Sequence, residues 1–309
     1  MNPANDTRKL DFHPATILVL AVLLVELSAC GSQTVSPGNL KNMKYGGVYE
    51  DLVLLENGVY EGPSFVEGGG SRPRVALVTR LQINGDLNDD GINETVVFLV
   101  ENSGGSGTAT YLALVGGRGG QLENIDTVLL GDRIQVRSLK IDAADLIVEI
   151  VATGKNEPLC CGTTHRQLRF RFENSSLVRT ADVERGNLSL TDLERVDWRL
   201  MEFATDDPVP DGVEITAVFA EGRISGSSGC NRYFATIENT EPYNFSTGMP
   251  AGTRMLCPGP AMEIEMRFLS LLQKSKQFGF SFGDLVLYYQ DGDEFGQLRF
   301  THQTDPVAR

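Results

Sequence analysis

From about residue 43 onward the chain consists of short runs rich in Val, Ile, Leu, Thr, Tyr and Phe, broken by turn residues. Of all its sequence features, this patterning most restricts the fold. Residues 75–83, 95–100, 110–115, 134–141, 146–151 and 168–172 have the length and composition of strands. In the last of these, Leu168, Phe170 and Phe172 alternate with Arg169 and Arg171, the pattern of a half-buried strand with a solvated basic face. No stretch of useful length before residue 196 repeats at helical spacing. After it, Trp198, Leu200 and Phe203 open a strand, and residues 213–220 and 223–225 form a hairpin over Glu221-Gly222. Residues 260–277 differ in character. There Met262, Met266, Leu269 and Leu272 recur at helical spacing, with acidic residues leading and Lys274 and Lys276 trailing, as the helix dipole favours. The methionines in it are read as core filling. Strand-like runs resume at 278–282, 285–289 and 297–300. The expected fold is β-rich, of α+β class: an all-β domain over residues 41–180, a polar linker over 181–195, and a second domain over 196–303 with one helix amid antiparallel strands.

The first thirty residues read as an export signal. Arg8 and Lys9 precede an apolar stretch over residues 15–25, which closes on Leu27-Ser28-Ala29-Cys30. That order resembles the lipobox of bacterial lipoproteins, in which cleavage falls before the cysteine and its sulfur carries a diacylglycerol. An apolar stretch of eleven residues is too short to span a bilayer core, which takes about 20 in a helix, so the segment implies an anchor and not a span. Asp6, Asp11 and Glu26 depart from the ideal signal without touching the cleavage residues. Gly31 follows Cys30 where an Asp would retain the protein in an enteric inner membrane, so the outer membrane is the expected site, facing the periplasm. The expected organisation is a signal over residues 1–29 and a Gly/Ser/Asn/Pro-rich tether over 30–40.

With a formal net charge of −14 and no basic patch interleaved with aromatics, the chain is not expected to bind nucleic acid. Besides Cys30 it has Cys160, Cys161, Cys230 and Cys257, an even number that suits an oxidising compartment and allows three full pairings. Adjacent Cys160 and Cys161 would be strained as a bridge and are expected as buried thiols. With His165 they match no common zinc spacing. The glycine-rich stretch Ser103-Gly104-Gly105-Ser106-Gly107 lacks the Lys-Ser/Thr ending of a phosphate loop and reads as a hairpin loop.

Four pieces of the second half then come in a recognisable order. They are Trp198-Arg199-Leu200; Ser228-Gly229-Cys230-Asn231-Arg232-Tyr233; Gly252-Thr253-Arg254-Met255-Leu256-Cys257; and the helix with Glu265 in it. Together they resemble the META domain of HslJ-like proteins over about residues 190–303. The resemblance implies a curved antiparallel sheet around a single helix, an association with envelope stress and antibiotic tolerance, and no established catalysis. It also places Cys230 and Cys257 at the centres of two motifs, so a disulfide between them is the favoured pairing. On the chain-entropy model that bridge contributes about 3.5 kcal/mol. The first half more weakly resembles a segment of bacterial lipoproteins of unassigned activity, through residues 55–61, 85–97, 105–111 and 130–136 and Cys160-Cys161.

Within the first half, Asp86, Asn88, Asp90 and Glu94 stand at positions 1, 3, 5 and 9 of a loop whose position 6 is Gly91. With the Ile92 carbonyl at position 7, this spacing can wrap Ca²⁺, although position 12 is Val97 and strands flank the loop. The plainer reading is a solvated acidic turn. The expected function is a membrane-anchored, non-catalytic binding or scaffolding role at the cell envelope, with an envelope protein or an apolar ligand as partner. One alternative is a carrier of a lipid or apolar ligand. The other is an envelope hydrolase, which the shortage of histidines (only His165 and His302 follow the signal) disfavours.

Overall fold

A computed structural model describes Met1 and residues 37–105, 107–118, 121–155, 157–158, 161–239 and 241–302. The signal, Cys30 and most of the tether lie outside the described residues. The chain enters at a four-residue helical turn, α1 (Pro37–Leu40), whose Leu40 is fully buried, so the last residues expected as tether belong to the packed body. Three short strands follow: β1 (Lys44–Tyr45), β2 (Val53–Leu54) and β3 (Val59–Glu61). The long strands are β4 (Arg74–Gly85), β5 (Glu94–Asn102), β6 (Ala109–Arg118), β7 (Gln121–Asp132), β8 (Gln135–Asp142), β9 (Asp145–Ala152), β10 (Thr164–Glu173) and β11 (Ser176–Asn187).

These strands form a sandwich. Antiparallel sheet β3-β4-β5-β6-β7 faces sheet β11-β10-β9-β8. Val96, Phe98, Leu112 and Leu114 of the first pack with Val148, Ile150, Leu168 and Phe170 of the second. The opposite face of the first sheet is also covered, because Val97, Leu99, Ala113 and Val115 meet Leu40, Tyr45, Val53 and Leu55. Cover on both sides explains why residues 95–100 read as a near-continuous apolar run and not as an alternation.

The second half comprises β12 (Trp198–Ala204), β13 (Asp207–Pro208), β14 (Thr216–Ala220), β15 (Arg223–Ser227), β16 (Arg232–Asn239), β17 (Ser246–Thr247), β18 (Ala251–Gly252), α2 (Ala261–Lys274), β19 (Ser275–Ser281), β20 (Asp284–Asp291) and β21 (Glu294–His302). The sheet runs β17-β16-β15-β14-β12-β21-β20-β19. It curls until its ends meet: Phe245 N–H donates to the Lys276 carbonyl at 2.8 Å, and Phe278 N–H to the Tyr243 carbonyl at 3.0 Å. Closure removes the free edges that an open sheet would expose. Helix α2 covers the enclosed core with Ile264, Phe268, Leu271 and Leu272. The Phe268 ring lies 5.2 Å from that of Tyr233 and 6.4 Å from that of Phe300. The β-rich, α+β class is therefore the observed one.

Three expectations are corrected. Residues 181–195 are not a loop throughout: they hold the second half of β11 and a 3₁₀ turn at Leu190–Leu193. β11 is an edge strand with most side chains in water, so its composition mimics a linker. The helix ends at Lys274, and residues 275–277 are already strand. Met262 and Met266 do not fill the core but face solvent, because the buried stripe runs through Ile264, Phe268 and Leu271–Leu272.

The two halves are locked together. The β19–β20 turn, Phe282-Gly283, has two successive positive φ values, 50° and 89°, as a tight hairpin turn of primed type requires. It carries Phe282 into the sandwich, 5.4 Å ring to ring from Phe98. Gln135 Oε1 accepts from Phe280 N–H at 2.7 Å, and Gly283 N–H donates to the Val136 carbonyl at 3.1 Å. Arg80 and Arg299 both pair with Asp284, at 3.3 and 3.0 Å.

Candidate functional site

The motif residues of the second half converge on one carboxylate. Glu265, on the second turn of α2, accepts from the Ser228 hydroxyl at 2.7 Å and Asn231 N–H at 2.7 Å on one oxygen, and from Asn231 Nδ2 at 3.1 Å on the other. Asn231 in turn accepts on Oδ1 from the Thr253 hydroxyl and from Met255 N–H, both at 2.7 Å. Ser228 and Asn231 are buried, so these bonds satisfy groups that water cannot reach. Cys230 and Cys257 form a disulfide with Cα atoms 5.8 Å apart, on the same two loops. Gly229, between Ser228 and Cys230, has φ +103°, which a side chain would oppose. Helix, turn and loop are thus tied into one knot beside a cleft of about 500 Å³ lined by Met249, Arg232, Arg254 and Leu269 among others.

The knot's cysteines are oxidised and its carboxylate is taken by three donors. Among the described residues, no Ser, Thr or Cys side chain hydrogen-bonds to His165 or His302. His302 instead meets Trp198 edge-on at 6.4 Å. His165 lies 3.7 Å from Glu149, and Arg137 Nη1 lies 3.2 Å from each of its ring nitrogens. Arg137 also pairs with Asp192 at 2.9 Å and stacks 4.7 Å from the Phe280 ring. The His165 imidazole, with Arg137 beyond it, holds the Glu149 carboxyl down to about 2. Arg137, Glu149, Asp192 and Phe280 of this cluster, with His302, line a cleft of about 460 Å³ where the two halves meet. Sequence reading missed it, because Arg137, Glu149 and Asp192 come from three separate elements and Asp192 lay in the supposed linker.

The acidic loop joins β4 to β5. Asp86 accepts backbone N–H bonds from Asn88, Asp90 and Gly91, at 3.3, 3.2 and 2.8 Å. Those bonds, the one from Gly91 foremost, lower its pKa. Asp90 accepts from Ile92 N–H at 2.8 Å. Glu94 is buried and turned back to accept from Leu87 N–H at 2.9 Å and Asn88 Nδ2 at 3.2 Å, and burial raises its pKa. The donors are all oxygen, as calcium prefers. Among the described residues, however, no three His, Cys, Asp or Glu side chains converge as a metal site. Cys161 is disulfide-bonded, which corrects the expectation of a thiol there, and Cys160 lies outside the described residues.

A closed antiparallel sheet with one covering helix and a disulfide-tied Asn–Glu knot defines a compact class of β-rich domain. Residues 191–302 match the family model of the META domain. No curated protein matches the chain. A solved NMR structure of a protein from Burkholderia xenovorans is 26% identical, over 37% of this chain and 86% of that one, with a TM-score of 0.30. The META domain is not a known catalytic family.

Proposed function

We propose that this chain is a lipid-anchored envelope protein, held at Cys30 and facing the periplasm of the outer membrane, that works by binding or scaffolding and not by catalysis. One observation supports the non-catalytic part: Glu265 accepts from the Ser228 hydroxyl, Asn231 N–H and Asn231 Nδ2, and Asn231 Oδ1 accepts from Met255 N–H, so the polar groups of the knot brace its loops. The core beneath α2 is filled by Phe268, Tyr233 and Phe300, which speaks against a carrier with its ligand under the helix. A role in stress or antibiotic tolerance follows from the family resemblance alone. Labelled palmitate fed to the native host tests the anchor. The expected result is label in the wild type and none in Cys30→Ser; an unlabelled wild type overturns it.

The acidic loop supports calcium binding as an accessory property, through its all-oxygen donors at alternating positions. Millimolar calcium is expected to raise the melting temperature, and Asp90→Ala to abolish the rise. No shift in the wild type removes calcium from the account.

A further inference from the structure

Inside and outside alternate along the β19-β20-β21 meander. Phe278, Leu287 and Leu298 pair across the three strands and face the core, as do Phe280, Leu285 and Phe300. The residues between them point outward. One outward row runs Gln277, Tyr288, Gln297, in register from strand to strand. Tyr243 extends it, since its hydroxyl donates to Gln277 Oε1 at 2.7 Å. Gln290 and Phe295 form the next outward pair, and Phe295 is 79% exposed. The outer face of the closed sheet thus mixes aromatic rings with side-chain amides on rigid strands.

Tyr288, Phe295 and Gln297, with Thr205 from the turn after β12, line a cleft of about 460 Å³. Among the described residues no charged side chain lines it, unlike the clefts at Arg137 and at Arg254. Nor does any protein group among them hydrogen-bond the Gln297 amide or the Tyr288 and Thr205 hydroxyls. Of the charges at its border, Arg299 is bound to Glu202 and Asp284, and Asp291 to Lys274. Asp206, Asp293, Glu294 and Lys276 are exposed. A rim with more acids than bases repels phosphate and other anions. The cleft itself offers rings, an amide and hydroxyls, a neutral set in which the amide and the hydroxyls each donate and accept.

We infer that this face binds an uncharged saccharide chain. A sugar ring has apolar C–H faces, which pack on Tyr288 and Phe295. Its hydroxyls donate and accept, as do the Gln297 amide and the Thr205 and Tyr288 hydroxyls that meet them. Neighbouring strands lie about 4.8 Å apart, so the Gln277-Tyr288-Gln297 row spans about 10 Å, enough for two linked rings. The inference rests on the reading of a non-catalytic binding protein and names the class of its ligand; it does not depend on the anchor.

The test is titration calorimetry of the full chain with Cys30→Ser against chitohexaose, cellohexaose and maltohexaose. Saturable binding of at least one is expected. Phe295→Ala is expected to weaken it by about tenfold or more, and Gln297→Ala by about fivefold. Phe295 stands largely in water, so its variant is expected to keep the wild-type melting temperature, and Phe295→Trp to keep the binding. No heat with any of the three sugars overturns the inference, and so does unchanged affinity in both alanine variants. Tighter binding of oligogalacturonate overturns the uncharged ligand. Displacement of the sugar by choline overturns it in favour of a cation held on the rings. Self-association that Phe295→Ala abolishes overturns it in favour of a second copy as the occupant. Shortened oligosaccharide in the cell overturns the non-catalytic reading and leaves this site standing. The chain in the assay is unacylated, so its outcome is read apart from palmitate labelling.

Discussion

At the scale of the residue, Glu265 decides the most. It is the shared acceptor for a buried hydroxyl, a backbone amide and a side-chain amide. Glu265→Ala leaves those donors without partners and is expected to cost about 2–4 kcal/mol. The measurement is the urea midpoint at unchanged slope; a change under about 0.5 kcal/mol, the ordinary range for surface substitutions, contradicts the knot. Glu149 sets an acid limit. Its folded pKa lies near 2 against an ordinary 4.5, because of His165 first and Arg137 after it. A depressed carboxylate contributes stability above its unfolded pKa, and that contribution is lost as pH falls from about 4.5 toward 2. The side chain is partly exposed, so the expected size is on the order of 2 kcal/mol. Glu149→Gln should flatten the fall of melting temperature over that window, and equal slopes for the two proteins contradict it.

At the scale of the element, the β19–β20 hairpin does two jobs: it is a wall of the closed sheet and a wedge in the sandwich. Its tip residue Phe282 accepts a left-handed φ of 50°, which a non-glycine residue resists, and packs on Phe98. Phe282→Ala is expected to cost about 1–3 kcal/mol, with Phe282→Leu recovering part of it, as read by chemical denaturation. An unchanged midpoint for Phe282→Ala shows that the wedge carries no energy. β11 makes the opposite point. As an edge strand with Asp182, Glu184 and Arg185 along it, it carries charges that discourage pairing with another chain. Those same charges disguised it as a linker.

At the scale of the whole molecule, the described residues from Pro37 onward form one compact body. The sandwich and the closed sheet share Val151, Phe282, the Arg137–Asp192 pair and the Asp284 pairs. Calorimetry is accordingly expected to give one cooperative transition with equal calorimetric and van't Hoff enthalpies. Two resolved transitions contradict a coupled body.

The sequence by itself determined the class of fold, most of the long strands, the single substantial helix and the motif residues of the META domain. These are local properties: period-2 and period-3.6 patterning and turn chemistry act over a few residues and can be read in one line of text. It also placed Cys230 and Cys257 together, through the resemblance of their motifs. Only the tertiary structure decided that Glu265 is the acceptor for Ser228 and Asn231, that Arg137, Glu149, His165 and Asp192 meet, and that Met262 and Met266 face water. The helical stripe had two candidate faces of similar apolarity. Which face is buried depends on the curl of a sheet whose first strand opens at Trp198, far upstream of the helix at Ala261–Lys274, and no local pattern carries that information.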